Sequence, residues 1–221
     1  MLDRRSLIED RRDGLRESMI ELGERVAGMV VEGLEVLRTR DLERARSLVA
    51  ADQDINGARR ALEQEALLIL AAHRPAGRDL RLVGVSLEMV SELERIADHA
   101  ADLGRLLLRH PDWNPDSRAF ISLLRLGEGS RRWLDGVLNG YSHGTGKAIL
   151  SASGAADFAT DRDLESINDD IIAALRSDPA SAADQVALLW MSQHLERIAE
   201  RATNIAGQLA YIETGNLEVL D

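Results

Sequence analysis

The sequence predicts an all-α protein built as two pseudo-symmetric three-helix bundles, and three observations predict it. The chain of 221 residues repeats itself: LERIADHAADLG at 93–104 returns as LERIAERATNIA at 195–206, an offset of 102 positions. Aromatic residues make up only 3% while Leu, Ala, Glu and Arg dominate, a mixture that favours helices and gives strands little to pack. Apolar residues recur at helical spacing, as in Leu22, Val26, Met29, Val30, Leu34 and Leu37, or Leu188, Met191, Leu195, Ile198, Ala202, Ile205 and Leu209. A repeat of this length means two copies of one supersecondary plan.

Breakers then delimit six helices in order. The first runs over 5–38 and stops at Thr39-Arg40-Asp41, where Asp41 offers the N-cap of a second helix over 41–73. His73-Arg74-Pro75 ends that helix, and a third covers 77–109. The loop His110-Pro111-Asp112-Trp113-Asn114-Pro115 leads to a fourth helix over 116–139. A glycine-rich turn, Asn139 to Gly146, precedes a fifth over 147–176, and Ser177-Asp178-Pro179 caps a sixth over 179–213. Short connections make sequence neighbours antiparallel, so the expected units are residues 1–112 and 113–221. Asp52 lies 42 positions before Glu94 but Asp161 only 35 before Glu196, which predicts a shorter hairpin in the second unit; pairing Asp52 with Asp157 instead shrinks the difference.

Charge and composition exclude several classes. With 38 acidic residues against 27 basic ones the net charge is -11, which repels phosphate backbones and argues against a nucleic-acid partner. The absence of cysteine removes disulfides, thiolate metal sites and cysteine nucleophiles, and fits a reducing cytosol. The N-terminal stretch MLDRRSLIEDRRDGL is charged with no apolar run behind it, and LLILAA (67–72) and VALLWM (186–191) fall far short of the ~20 residues that span a bilayer. The expectation is a soluble, cytoplasmic protein.

Within each repeat, carboxylates recur every fourth residue: Glu94, Asp98 and Asp102, then Glu196 and Glu200 followed by Asn204. Four residues advance a helix by roughly 400°, so these side chains form one stripe. The second helix of each unit adds a polar set, Asp52 and Asn56 in one, Asp161, Glu165 and Asp169 in the other. Two readings stand side by side. A solvated face held by ion pairs through Arg95 and Arg197 needs no ligand. Against it, like charges at i,i+4 cost ~0.2–0.5 kcal/mol per pair unless neutralised, and a hard cation such as Mg²⁺, Mn²⁺ or iron neutralises them. His99 is a ligand, a partner to the stripe or an ordinary helix-surface histidine, and its turn of roughly 100° from Asp98 favours a surface or interhelix role. In the second copy that position is Arg201, which cannot ligate a metal.

Other motifs lead nowhere. Gly140 to Lys147 resembles a phosphate loop but fails its spacing, and Ala148 replaces the hydroxyl residue. No Glu-x-x-His occurs, which removes the ferritin type of di-iron bundle. Trp113, Trp133 and Trp190 read as core or hinge packing.

The segments LERIADHAADL and LERIAERATNIAGQLAYIETG resemble the PhoU family of phosphate-transport regulators, whose halves each carry a motif close to LERIGDHATNIAE. Asp52 to Asn56 is similar to that family's D-x-x-I-D, and PAGRDLR (75–81) to its P-x-A-x-D-L-R. The resemblance implies paired three-helix bundles whose acidic motifs bind Mg²⁺, Mn²⁺ or iron. It further implies a cytoplasmic adaptor without catalysis, a negative regulator placed between the ATP-binding subunit of the phosphate ABC transporter and the sensor histidine kinase of the phosphate regulon. The membrane is then reached only through partners, and a homodimer is expected. Carried over by position, a first site uses Glu94, Asp98, Asp52, Asn56 and Asp102, and a second uses Glu196, Glu200, Asp161, Glu165 and Asn204. Departures at Asn56, Asp102 and Glu200-Arg201 rank the second site lower, because the fixed charge of Arg201 repels a metal. The competing readings are a metal-dependent all-α nucleotide pyrophosphohydrolase, for which Glu21 with Glu24 supplies half a quartet and Glu218 to Asp221 the only Glu-x-x-Asp, and a metal-free helical scaffold.

Overall fold

The computed structural model describes residues 4–113 and 118–216, with side chains from residue 9. Six long helices carry the chain: α1 (Arg4–Thr39), α2 (Leu42–His73), α3 (Arg78–Arg109), α4 (Arg118–His143), α6 (Ser153–Ser177) and α7 (Ala182–Thr214). A five-residue helix, α5 (Gly146–Leu150), and a 3₁₀ turn (Pro179–Ser181) complete it. The expected start of the fourth helix at residue 116, the loop residues Asn114 and Pro115, and the pair Glu218 and Asp221 lie outside the described residues.

Local chemistry sets the ends. The Asp41 carboxylate accepts from the backbone N–H groups of Glu43 and Arg44, satisfying two of the orphan donors that open α2. Arg74 closes α2 in the left-handed region ahead of Pro75, and Gly215 closes α7 the same way, its N–H reaching the Tyr211 carbonyl. Asp178 accepts from Ala180 N–H and places Pro179 at the first turn, as its sequence signature predicts.

Helices α1, α2 and α3 pack together, α4, α6 and α7 pack together, and the two sets meet where α3 lies against α7 and α1 against α4. This is the predicted all-α pair of three-helix bundles. One continuous apolar core, from Leu15 on α1 to Ile212 on α7, runs through both. On α3 buried residues come as adjacent pairs, Met89–Val90, Ile96–Ala97, Ala100–Ala101 and Leu106–Leu107, so the apolar surface is too wide for one neighbour and is covered on two sides. The repeat helices are therefore the central pair of the molecule.

Two boundaries differ from expectation. Helix α4 continues through Gly140 to His143, and the expected fifth helix is broken at Ser151–Ala152 into α5 and α6. The glycines there serve close approach rather than turning: a Cβ on Gly140 would run into the Ile149 side chain, and one on Gly146 into the Leu209 backbone. Only Gly144, at φ 67°, acts as the turn residue. The second hairpin is the shorter one, with the whole helical loss in α6, 25 residues against 32 in α2, while α7 at 33 residues is no shorter than α3 at 32.

Candidate functional site

The first acidic stripe already contains a cation. Arg105, two turns beyond Asp98 on α3, donates to Asp102 at 2.7 Å and to Asp52 of α2 at 3.1 Å, and stands 3.8 Å from Asp98. Three of the five expected ligands of the first site thus converge on one guanidinium. The compensation is incomplete. Asp52 is buried, and its Oδ1 has no hydrogen-bond partner. Burial, followed by the charges of Asp52 and Glu94, raises the Asp98 carboxyl above its ordinary range despite Arg105. Asn56 turns its amide to the carbonyl of Asp52 on its own helix. An orphaned buried oxygen beside two crowded carboxylates fits a hard cation, with Arg105 as its competitor.

The second stripe is more open. Glu196 is half-buried, and its carboxyl is raised by burial and then by Glu200 and Asp161. Glu200 accepts from Arg197 at 2.7 Å. Asp161, Glu165, Glu200 and Asn204 are exposed. The register along α6 resolves which acid matches Asp52. Thr203, the repeat equivalent of Ala101, donates to Asp157 at 3.1 Å and receives the Trp133 indole N–H at 2.9 Å. Asp161 meanwhile acts on Glu196, the equivalent of Glu94. Asp157 and Asp161 therefore occupy the places of Asp52 and Asn56, with the same spacing of four, and Glu165 lies a further turn along. The sequence leaves Asp161 and Asp157 both open as the match, and the repeat offset of 102 carries Asp52 to position 154, nearer Asp157.

Arg201 does not face the second stripe. Its guanidinium crosses the seam to Glu92 of α3 at 3.4 Å, so the repulsion expected of it at the second site is spent on an ion pair elsewhere. Arg201 therefore no longer counts against the second site, and an arginine paired with stripe carboxylates, Arg105, lies on the first stripe.

The seam holds a cluster that the stripe pattern does not reveal. His99 of α3 and His194 of α7 face each other with Nδ1 atoms 3.2 Å apart and ring centroids 5.4 Å apart. Asp102 divides its carboxylate, Oδ1 to Arg105 and Oδ2 3.5 Å from His194 Nδ1. Burial and the neighbouring His194 lower His99 to about 4, and burial lowers His194 as well, against the pull of Asp102. Both rings are neutral at pH 7. Shifting by the repeat offset of 102 carries Glu92 to His194 and His99 to Arg201. The pair His99–His194 and the pair Arg201–Glu92 are the same contact viewed from the two halves, as an isologous, twofold-related seam requires.

Glu21 and Glu24 are exposed on α1. Trp113 is buried edge-on against Phe120 and donates to the Asp184 carbonyl at 3.3 Å, while Trp190 is 44% exposed and is not a core residue. Among the described residues no helix is long and apolar enough to cross a membrane.

Comparison with known proteins follows the same lines. The family model for the PhoU domain matches residues 19–107. A Streptococcus pneumoniae protein named phosphate-specific transport system accessory protein PhoU homolog is 30% identical over 206 residues, covering 92% of this chain and 93% of that one. A Pseudomonas putida protein of the same name is 25% identical across 91% of this chain and 78% of its own length. The crystal structure of the phosphate transport system regulatory protein PhoU from S. pneumoniae superposes with a TM-score of 0.86 at 26% identity, covering 96% of this chain and all of that one. That of PhoU from Pseudomonas aeruginosa gives 0.88 at 23% identity, covering 94% and 99%, and shares the fold.

Proposed function

This chain belongs to the PhoU family, and on that premise we propose that it is a cytoplasmic regulatory adaptor of phosphate homeostasis that restrains high-affinity phosphate uptake. Its partners in this reading are the ATP-binding subunit of a phosphate ABC transporter and the sensor histidine kinase of the phosphate regulon. It meets the membrane only through them, and it works by protein contacts as a homodimer. The observation that carries the reading is the match to the S. pneumoniae accessory protein, which spans 92% of the chain and so both repeats.

The acidic stripes supply a tuning element. Asp52, Glu94 and Asp98 on one side, and Asp157, Asp161, Glu196 and Glu200 on the other, would hold Mg²⁺, Mn²⁺ or iron through oxygen alone. Such a cation would relieve the crowding that raises Asp98 and Glu196.

Deletion of the gene tests the function. The expected outcome is derepressed phosphate-starvation genes and excess phosphate when phosphate is plentiful, reversed by the wild-type gene. Unchanged expression and phosphate content in the deletion strain would overturn it. Copurification with the transporter's ATP-binding subunit from phosphate-replete cells tests the partner.

A further inference from the structure

We propose that His99, Asp102 and His194 form a transition-metal site that staples the two halves across the α3/α7 seam. The proposal shares Asp102 with the first stripe but needs no other stripe residue and none of the partners proposed above.

The geometry comes first. Ligand atoms held at about 2.0–2.1 Å by one tetrahedral ion stand about 3.3 Å from each other. The Nδ1 atoms of His99 and His194 are 3.2 Å apart, and Asp102 Oδ2 is 3.5 Å from His194 Nδ1. The three ligand atoms all lie within 4.8 Å of one another, and each side chain is half-buried. Two edges of a tetrahedron are already drawn. The ligands come from two helices that the sequence separates by 95 positions, so the helices that carry the apolar core set their spacing.

Chemistry then selects the ion. Two imidazoles and one carboxylate suit Zn²⁺ and its borderline neighbours, whereas Mg²⁺ and Mn²⁺ favour all-oxygen sets like the stripes. A neutral imidazole presents a lone pair to a metal. Without a metal the two Nδ1 atoms share a single proton in one hydrogen bond. Asp102 is pre-oriented, since Arg105 holds Oδ1 at 2.7 Å and leaves Oδ2 facing His194, the kind of outer support that metal-bound carboxylates have. Three protein ligands leave the fourth position for water.

The repeat supplies an internal comparison. At the twofold-related place the same seam contact is the Arg201–Glu92 ion pair, and Asp102 is matched by Asn204. One half of the seam is closed by a permanent salt bridge, and the other holds three metal-ligating groups. The molecule therefore takes one such ion per chain.

The test uses the full-length protein stripped with EDTA and titrated with Zn²⁺ in competition with a chromophoric chelator, and with Co²⁺ followed by visible absorption. Wild type is expected to bind one Zn²⁺ per chain and to give the intense d–d bands of four-coordinate Co²⁺. His99→Gln and His194→Gln should each weaken Zn²⁺ binding at least tenfold, while Glu24→Gln and Glu43→Gln, exposed acids on α1 and α2 outside both stripes, should leave it unchanged. No Zn²⁺ uptake by wild type, retention of affinity in His194→Gln, or equal loss in the two glutamate variants would overturn the proposal. If a histidine variant does not fold, paramagnetic broadening by Co²⁺ in wild type decides instead: the ring signals of His99 and His194 should vanish first, and broadening that spares them would count against the site.

Discussion

At the scale of single residues, Arg105 occupies the charge for which a divalent cation at the proposed stripe site would compete. The guanidinium holds Asp52, whose side chain is 11% exposed, and shares itself with Asp102 and Asp98. Arg105→Ala leaves a buried carboxylate unpaired and should cost about 1–3 kcal/mol in urea unfolding, nearer the lower figure because Arg105 itself is 32% exposed. Mn²⁺ should restore more stability to that variant than it adds to wild type. Equal stabilisation of both proteins would mean that the stripe does not exchange arginine for metal.

The histidine pair gives a pH dependence with a definite sign. His99 titrates near 6.5 when unfolded and at about 4 when folded, with His194 lowered too. The unfolded chain then takes up protons that the native seam refuses, so stability is complete above about pH 6.5 and falls as pH drops towards 4. Around the rings, Asp102 opposes this shift while Arg197 and Arg201 reinforce it on His99, and Arg105 on His194. Asp98 and Glu196 are raised and act the opposite way, losing stability as pH rises through their folded values, which blunts the fall at its acid end. Metal-free protein should therefore melt lower at pH 5 than at pH 7, and His99→Leu should flatten the difference. An unchanged slope in that variant would assign the pH dependence to other groups.

At the scale of elements, what the sequence revealed depended on whether the cause was local. Asp41, Pro75 and Pro179 act within a turn of their own positions, and the helix ends they mark were readable. The break between α5 and α6 has a tertiary cause. The Glu213 carboxylate of α7 accepts the backbone N–H groups of Gly146 and Lys147, at 2.5 and 3.3 Å, and pins α5 against α7. Nothing in Ser151-Ala152 announces that. His194 was hidden for a similar reason, since its partner lies on another helix and in the other repeat. Gly146→Ala puts a Cβ into the Leu209 carbonyl and should lift α5 from α7, costing about 1–3 kcal/mol and raising amide exchange in residues 146–150. Wild-type melting of this variant would show that α5 yields without cost.

At the scale of the whole molecule, the repeat does not produce two independent bodies. Each half buries its repeat helix on two sides, and the second side is the other half. The seam also carries polar contacts, Arg201–Glu92 at 3.4 Å and Arg38–Glu128 at 2.6 Å. Gly127 permits that approach, since a Cβ there would collide with Leu34 of α1 and Leu195 of α7. A half released from this seam would expose apolar α3 surface that water does not tolerate at such extent. Unfolding should therefore be a single cooperative transition, with far-ultraviolet circular dichroism and tryptophan fluorescence coincident. Residues 1–112 expressed alone should aggregate or associate instead of forming a stable monomer. Two separated transitions, or a soluble monomeric half that melts cooperatively, would show that the halves fold by themselves and that the seam is a docking surface added afterwards.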